Sequence, residues 1–262
     1  MLAALLFFCA VGGVAGLAAG LFGIGGGVII VPALASALAF KGVDEALIMH
    51  LAIGTSLAII VVTGASSAFG HWKKGAVSRD LLVLMLPGLM CGAVLGGLVA
   101  DHLDGRQLER FFGVFMLLLA AHMLLSKRVS EKAHVSGRPA MFAAGTTIGT
   151  FSALFGVGGG VLSVPWLARN GAGLTHAIGT SAACGLPIAL VGALTFMMTG
   201  LGHAGLPEGS LGYLYLPAFA GVAMFSVPAA RCGAKLAHYL SPERLRTLFA
   251  LVMVVVGITL VL

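Results

Sequence analysis

The chain has 262 residues, of which 59% are hydrophobic and only 9% charged, with a formal net charge of +6 and a mean hydropathy of +1.08. A soluble domain carries roughly a quarter charged residues, so a globule facing water is excluded: there is too little polar surface to cover it. The positive excess bears first on orientation in a membrane and only then on an anionic ligand, and no nucleic-acid partner is expected.

Residues 1–40 contain no ionisable side chain apart from the thiol of Cys9. A spanning helix needs about 20 apolar residues, so this stretch has length for two passes. It lacks the basic start of a signal peptide and its apolar run is too long for one, so it reads as mature structure. It is interrupted at Gly23, Gly25, Gly26 and Gly27 and followed by Pro32. Ordinary apolar spans are predicted over 47–70, 81–100 and 108–125. A polar stretch at 127–138 separates these from a second long segment, 139–168, interrupted at Gly156, Gly158, Gly159 and Gly160 and followed by Pro165. Three further spans are predicted over 177–201, 211–230 and 245–262. The four cysteines lie scattered in apolar segments with no CxxC pair. Neither a zinc site nor a disulfide framework is suggested, and they read as small buried hydrophobes.

The two halves are copies of one another. LFGIGGGVIIVPAL at 21–34 returns as LFGVGGGVLSVPWL at 154–167, and AIGTS at 52–56 returns unchanged at 177–181. Leu86-Pro87 and Leu216-Pro217 form a weaker pair, and HLDGRQLERFF at 102–112 resembles YLSPERLRTLF at 239–249. The order is the same in both halves, so the chain reads as two repeats of about 130 residues: 1–126 and 139–262, joined by a linker at 127–138.

Charge orients them. Basic residues gather at Lys73, Lys74 and Arg79, at Lys127, Arg128, Lys132 and Arg138, and at Arg231, Lys235, Arg244 and Arg246. If each glycine-broken segment is a helical hairpin, each copy has an odd number of passes, the second copy is inverted, and all three clusters share the cytoplasmic face. Asp104 and Glu208 then lie on the other. The expectation is an all-α, polytopic membrane protein of two inverted repeats, each a glycine-broken hairpin plus three spans. Whether the hairpins cross or re-enter is left open, because 160–168 is only about half a bilayer long.

Glycines clustered in an apolar helix weaken it but permit positive φ and close backbone approach. A helix starting after them presents free N–H groups and a positive dipole end, which attract anions. Close helix packing is the plainer alternative. On this basis Gly25, Gly26, Gly27, Gly158, Gly159 and Gly160 are candidate substrate-binding residues. Thr55, Ser56, Thr180 and Ser181 join them, since a hydroxyl donates to an oxyanion without bearing charge; bonding within the helices is their alternative. No Lys-Ser or Lys-Thr follows the glycines, so a nucleotide P-loop is excluded and no cofactor is expected. His50, His71, His122, His176 and His203 lie in or near spans as candidate proton relays, most of them at solvated ends. No acidic residue occupies the middle of a span, which disfavours a carboxylate cation pathway. Arg169, at the end of the second hairpin, reads as a snorkelling side chain, with attraction of an anion as the alternative. Trp72, Trp166, Tyr213 and Tyr215 read as membrane-interface anchors.

The duplicated GxGGG…P and AIGTS segments resemble the sulfite exporter TauE/SafE family, also called the toluene-sulfonate uptake permeases, over nearly the whole chain. The resemblance implies secondary transport of a small anion, a sulfur oxyanion or an organic sulfonate or carboxylate, across a bacterial inner membrane, with protons as coupling ion. A passive anion channel is the alternative. An intramembrane enzyme is a weaker one, because a serine and a histidine in separate spans make no catalytic geometry.

Overall fold

The computed structural model describes residues 8–17, 26–125, 136–237 and 242–262. Helices α1 (Phe8–Leu17), α2 (Gly27–Phe40), α3 (Glu45–Lys73), α4 (Arg79–Asp101) and α5 (Gly105–Leu125) are followed by α6 (Arg138–Leu154), α7 (Gly160–Arg169), α8 (Leu174–Thr199), α9 (Leu216–Ala237) and α10 (Pro242–Val261). Four of these, α3, α4, α5 and α8, are long and apolar enough to cross a membrane by themselves. Val83, Leu118, Met198, Met224 and Leu251 are exposed on the outside of the bundle, which suits a lipid environment and not an aqueous one.

Three details differ from the sequence reading. A two-residue antiparallel ribbon, β1 (Ser210–Leu211) and β2 (Leu214–Tyr215), occupies the start of the span expected from 211. Gly209 and Gly212 adopt φ of 85° and 57°, conformations that glycine takes without penalty and that turn the chain before a helix can start. Tyr213 and Tyr215 are each only 3% exposed, so they are core residues and not interface anchors. The cysteines are mixed: Cys184 is buried, whereas Cys91 and Cys232 are exposed.

The helices have definite running senses. The α3–α4 turn touches the start of α8, where a Cβ on Gly179 would strike Ala76. The start of α3 lies beside the ribbon after the end of α8: a Cβ on Gly54 would stand 2.5 Å from the Tyr213 carbonyl oxygen. So α3 and α8 run in opposite senses. Likewise α5 and α10 are antiparallel, since Gly113 meets Leu260 and Val261 while Gly257 meets Leu117. The bundle therefore has an α3–α4 end and an α4–α5 end. Lys73, Lys74 and Arg79 lie at the α3–α4 end, to which α9 also runs and from which α10 returns. Lys41, Asp44, Glu45, Asp104 and Glu208 lie at the α4–α5 end.

Glycine stripes bring backbones together across the two halves. Cβ atoms on Gly88, Gly92 and Gly96 of α4 would stand 3.0, 2.8 and 3.0 Å from the backbone nitrogens of Thr146, Thr150 and Leu154 in α6. In the same way Gly12 and Gly16 of α1 press on Val222 and Ser226 of α9, at 2.8 and 2.6 Å from their Cα atoms. This is small-residue packing, the means by which helices associate where lipid removes the hydrophobic drive. The opening helix of each half thus packs on the fourth helical segment of the other half, and the halves interlock.

Candidate functional site

The site is built by two glycine-broken hairpins that enter the bundle from opposite ends. In the first, Phe8 at the start of α1 packs edge-on against Tyr215 at 5.8 Å. Lys41, just past the end of α2, donates to the hydroxyl of the same tyrosine. The hairpin starts and finishes at the α4–α5 end. In the second, Ser136 before α6 donates its N–H to Asn170 Oδ1 at 2.9 Å, just past the end of α7. This hairpin starts and finishes at the opposite end. α7 has 10 residues, about 15 Å of rise against an apolar core of about 30 Å. Each hairpin thus returns to the end of the bundle from which it starts, and α7 is too short to span the apolar core by itself.

The tips meet. A Cβ on Gly27 would collide with the Gly156 carbonyl oxygen and stand 2.9 Å from Val157 Cα. Gly156 and Gly159 hold φ of 63° and 72°, which costs any other L-residue roughly 1–2 kcal/mol. They turn the chain so that Gly159 N donates to Val157 O at 2.8 Å and Gly159 O receives Leu162 and Ser163 N. In the first hairpin Gly26 plays the matching part, its carbonyl receiving Ile29 and Ile30 N. Gly185 of α8 admits the second tip, since any side chain there would strike the Gly158 carbonyl. Gly25 and Gly23 lie outside the described residues, as does most of the 127–138 linker.

Helix starts leave four N–H groups without intrahelical partners. Neither α2 nor α7 has a side-chain cap. Among the described residues no acceptor is placed on the N–H groups of Gly27 and Val28, or of Gly160 and Val161. Two positive dipole ends therefore converge in the middle of the bundle, with no carboxylate beside them.

Of the AIGTS hydroxyls, the serines reach toward the tips and the threonines bond to loops of the other half. Thr55 Oγ1 accepts the Tyr215 N–H at 2.9 Å, and Thr180 Oγ1 accepts the Ser78 N–H at 2.8 Å. Each thus ties its helix to the loop before the fourth helical segment of the other half. Among the described residues neither hydroxyl proton has an acceptor. Ser56 Oγ donates to the Gly156 carbonyl at 3.0 Å, reaching the tip of the other half. Ser181 Oγ pairs with Ser163 Oγ at 2.7 Å, and Ser163 Oγ donates to Gly159 O at 2.7 Å. Thr55, Ser56, Thr180 and Ser181 are all buried.

Three features escaped the sequence reading. Ser163 stands where the first copy has Ile30, the single gain of a hydroxyl in an otherwise apolar repeat, and that departure was the available signal. Ser152 Oγ is fully buried without a partner. His50, expected near a solvated end, is only 4% exposed, covered by the end of α4 and the ribbon.

The comparisons point to membrane transport. The chain is 38% identical to a probable membrane transporter protein of Haemophilus influenzae, over 96% of each chain. It is 26% identical to a probable membrane transporter protein of Methanocaldococcus jannaschii, over 96% of this chain and 93% of that one. A probable membrane transporter protein of Bacillus subtilis is 29% identical over 58% of this chain and 63% of its own length. No solved structure matches. The model of the sulfite exporter TauE/SafE family matches residues 8–260. The chain is a multi-pass membrane transporter and belongs to the sulfite exporter TauE/SafE family.

Proposed function

We propose that this transporter carries a small anion, a sulfur oxyanion or an organic sulfonate or carboxylate, bound where the two hairpin tips meet. The observation that carries the reading is the meeting of two uncapped helix starts, α2 and α7, inside the bundle, with no acidic side chain beside them among the described residues. Each start contributes about half a positive charge, and substrate sites near the midplane at broken helices are the transporter arrangement. Backbone N–H groups of Gly27, Val28, Gly160 and Val161, with the hydroxyl protons of Thr55 and Thr180, supply donors. Ser56 and Ser181 hold the tips in place.

In this reading residues 1–126 and 139–262 are two copies in inverted orientation, a relation supported by the opposite senses of α3 and α8. The basic α3–α4 end faces the cytoplasm, and one copy rocks against the other to alternate access. The test is ligand stabilisation of the purified protein, since a ligand that binds only the folded state raises its stability by mass action. Sulfite, thiosulfate, sulfoacetate and acetate are compared with choline and sodium at constant ionic strength. At least one anion is expected to raise the melting temperature and to be taken up by proteoliposomes. A shift by an organic cation and by none of the anions overturns the reading.

A further inference from the structure

His50 breaks the repeat. The matching position in the second copy is Thr175, and the neighbouring His176 is exposed, whereas His50 is buried in the first turns of α3. Both of its ring nitrogens face carbonyl oxygens: Nδ1 lies 3.2 Å from Ala46 O and Nε2 lies 3.0 Å from Ala100 O. A neutral imidazole carries one N–H and one lone pair. Either neutral tautomer therefore points its lone pair at a carbonyl oxygen, and only the imidazolium satisfies both.

The end of α4 and the ribbon enclose the ring. Ala100 sits one residue from the end of α4, where the helix dipole is negative and a cation is stabilised. The Tyr213 ring lies against the imidazole with centroids 4.9 Å apart, within reach of a cation–π contact. Asp101 follows Ala100 and stands beside Tyr213. Burial, and then the Asp101 carboxylate, push the Tyr213 phenol above its usual range, so the ring stays neutral. His203 packs on the same tyrosine at 5.9 Å. α5, packed against the start of α3 through Gly105, brings Glu109, with Arg106 and Arg110 about it, near Glu45. Lys41 stands over Tyr215 at the end of the ribbon.

We infer that His50 is a proton-binding site that joins α3, the end of α4 and the β1–β2 ribbon when it is charged. This rests on the transport reading only for its consequence: the Tyr215 N–H on the same ribbon is held by Thr55, so proton release loosens the wall of the anion site toward the α4–α5 end. The inward-facing end has no counterpart, because position 175 carries a threonine that cannot titrate.

Two arms test it. In the first, the full-length protein, ¹⁵N-labelled at histidine and reconstituted in liposomes, is examined by solid-state NMR, with the His50→Gln variant identifying the His50 signals. Two protonated ring nitrogens on His50, each correlated with a carbonyl carbon, are expected. A bare ring nitrogen on His50 at every pH at which the fold persists overturns the proposal. In the second, thiosulfate exchange without a gradient is compared with uptake driven by an inward proton gradient. His50→Gln keeps one donor for Ala100 O but cannot take up a proton. It is expected to retain exchange and to lose the gradient-driven component; gradient-driven uptake equal to wild type overturns the coupling. If the wild type exchanges none of the anions named above, the transport reading falls, and the nitrogen spectrum alone decides the proton site.

Discussion

Thr55 and Thr180 occupy the same place in their two copies and do the same work. Each buried hydroxyl accepts a backbone N–H from the other half, Tyr215 in one case and Ser78 in the other. The serines one residue further on part company. Ser56 reaches across to the Gly156 carbonyl of the opposite hairpin, while Ser181 bonds to Ser163 in its own half. An identical pentapeptide thus serves a symmetric task and an asymmetric one. The threonines interlock the halves in a way that either copy performs. The serines fit each tip as that tip is built, and the tips differ because Ser163 replaces Ile30. The two copies thus share a frame and differ in the lining of their tips.

The largest expected effect is at the frame. Gly159→Leu forces a branched side chain to φ of 72° and into Ile188, whose Cδ1 lies 2.9 Å from the added Cβ. Gly27→Leu drives the same bulk into Gly156 and Val157. Overpacking costs about 1–3 kcal/mol and the left-handed backbone roughly 1–2 more. Both variants are expected to insert and to lose proteoliposome uptake. Unchanged uptake from either would remove the tips from the transport pathway.

The threonines come next. Thr55→Val and Thr180→Val keep shape but leave an N–H without its acceptor, the buried one of Tyr215 and the part-buried one of Ser78, a loss of about 1–3 kcal/mol each. If the two truly do one task, their melting temperatures in detergent fall by similar amounts. A large fall at one and none at the other breaks the symmetry drawn above. The serines are expected to differ. Ser56→Ala strips the Gly156 carbonyl of its donor and costs about 1 kcal/mol. Ser181→Ala costs less, because Ser163 still donates to Gly159 O. Equal losses would mean that Ser181 holds its tip as firmly as Ser56 holds the other.

Much of this frame is legible in the sequence, for definite reasons. Glycine and proline punctuate apolar helices wherever they fall, so the two breaks announced themselves, and an internal repeat doubles each signal. Depth is another matter. Hydropathy reports that 1–40 and 139–168 are apolar, but a crossing hairpin and a re-entrant one are equally apolar. The contacts of their ends, Phe8 and Lys41 with Tyr215 and Ser136 with Asn170, show that each hairpin returns to the end it left, and the contact of Gly27 with Gly156 and Val157 sets the tips inside the bundle. His50 reads as solvated because it stands near the start of a span; what covers it comes from residues 50 and 163 positions away, Ala100 and Tyr213. The ribbon was hidden because LGYLY is apolar enough to extend the span behind it, although Gly209 and Gly212 mark its turns.

The two hairpin mouths offer the finest test of how far the halves are alike. The second is closed by Asn170, 5% exposed, whose Oδ1 receives Ser136 N and whose Nδ2 donates to Trp166 O at 2.9 Å. The first is closed by Lys41, an exposed side chain whose ammonium reaches the Tyr215 hydroxyl and ring. A buried amide with two backbone partners cannot exchange them for water, so Asn170→Ala orphans at least one group at about 1–2 kcal/mol. An exposed ammonium regains water when it lets go, and long side chains recover rotamer freedom. Lys41→Met therefore changes stability by no more than about 0.5 kcal/mol, while keeping the aliphatic stem that lies over Tyr215. For a chain of this size 1 kcal/mol corresponds to roughly 2–4 °C in melting temperature, so the two substitutions are separable by thermal unfolding in one detergent. Asn170→Ala is expected to lower the midpoint measurably and Lys41→Met to leave it in place. The reverse order would show that the α4–α5 mouth is the tightly sealed one, and that the hairpin free to loosen is the second.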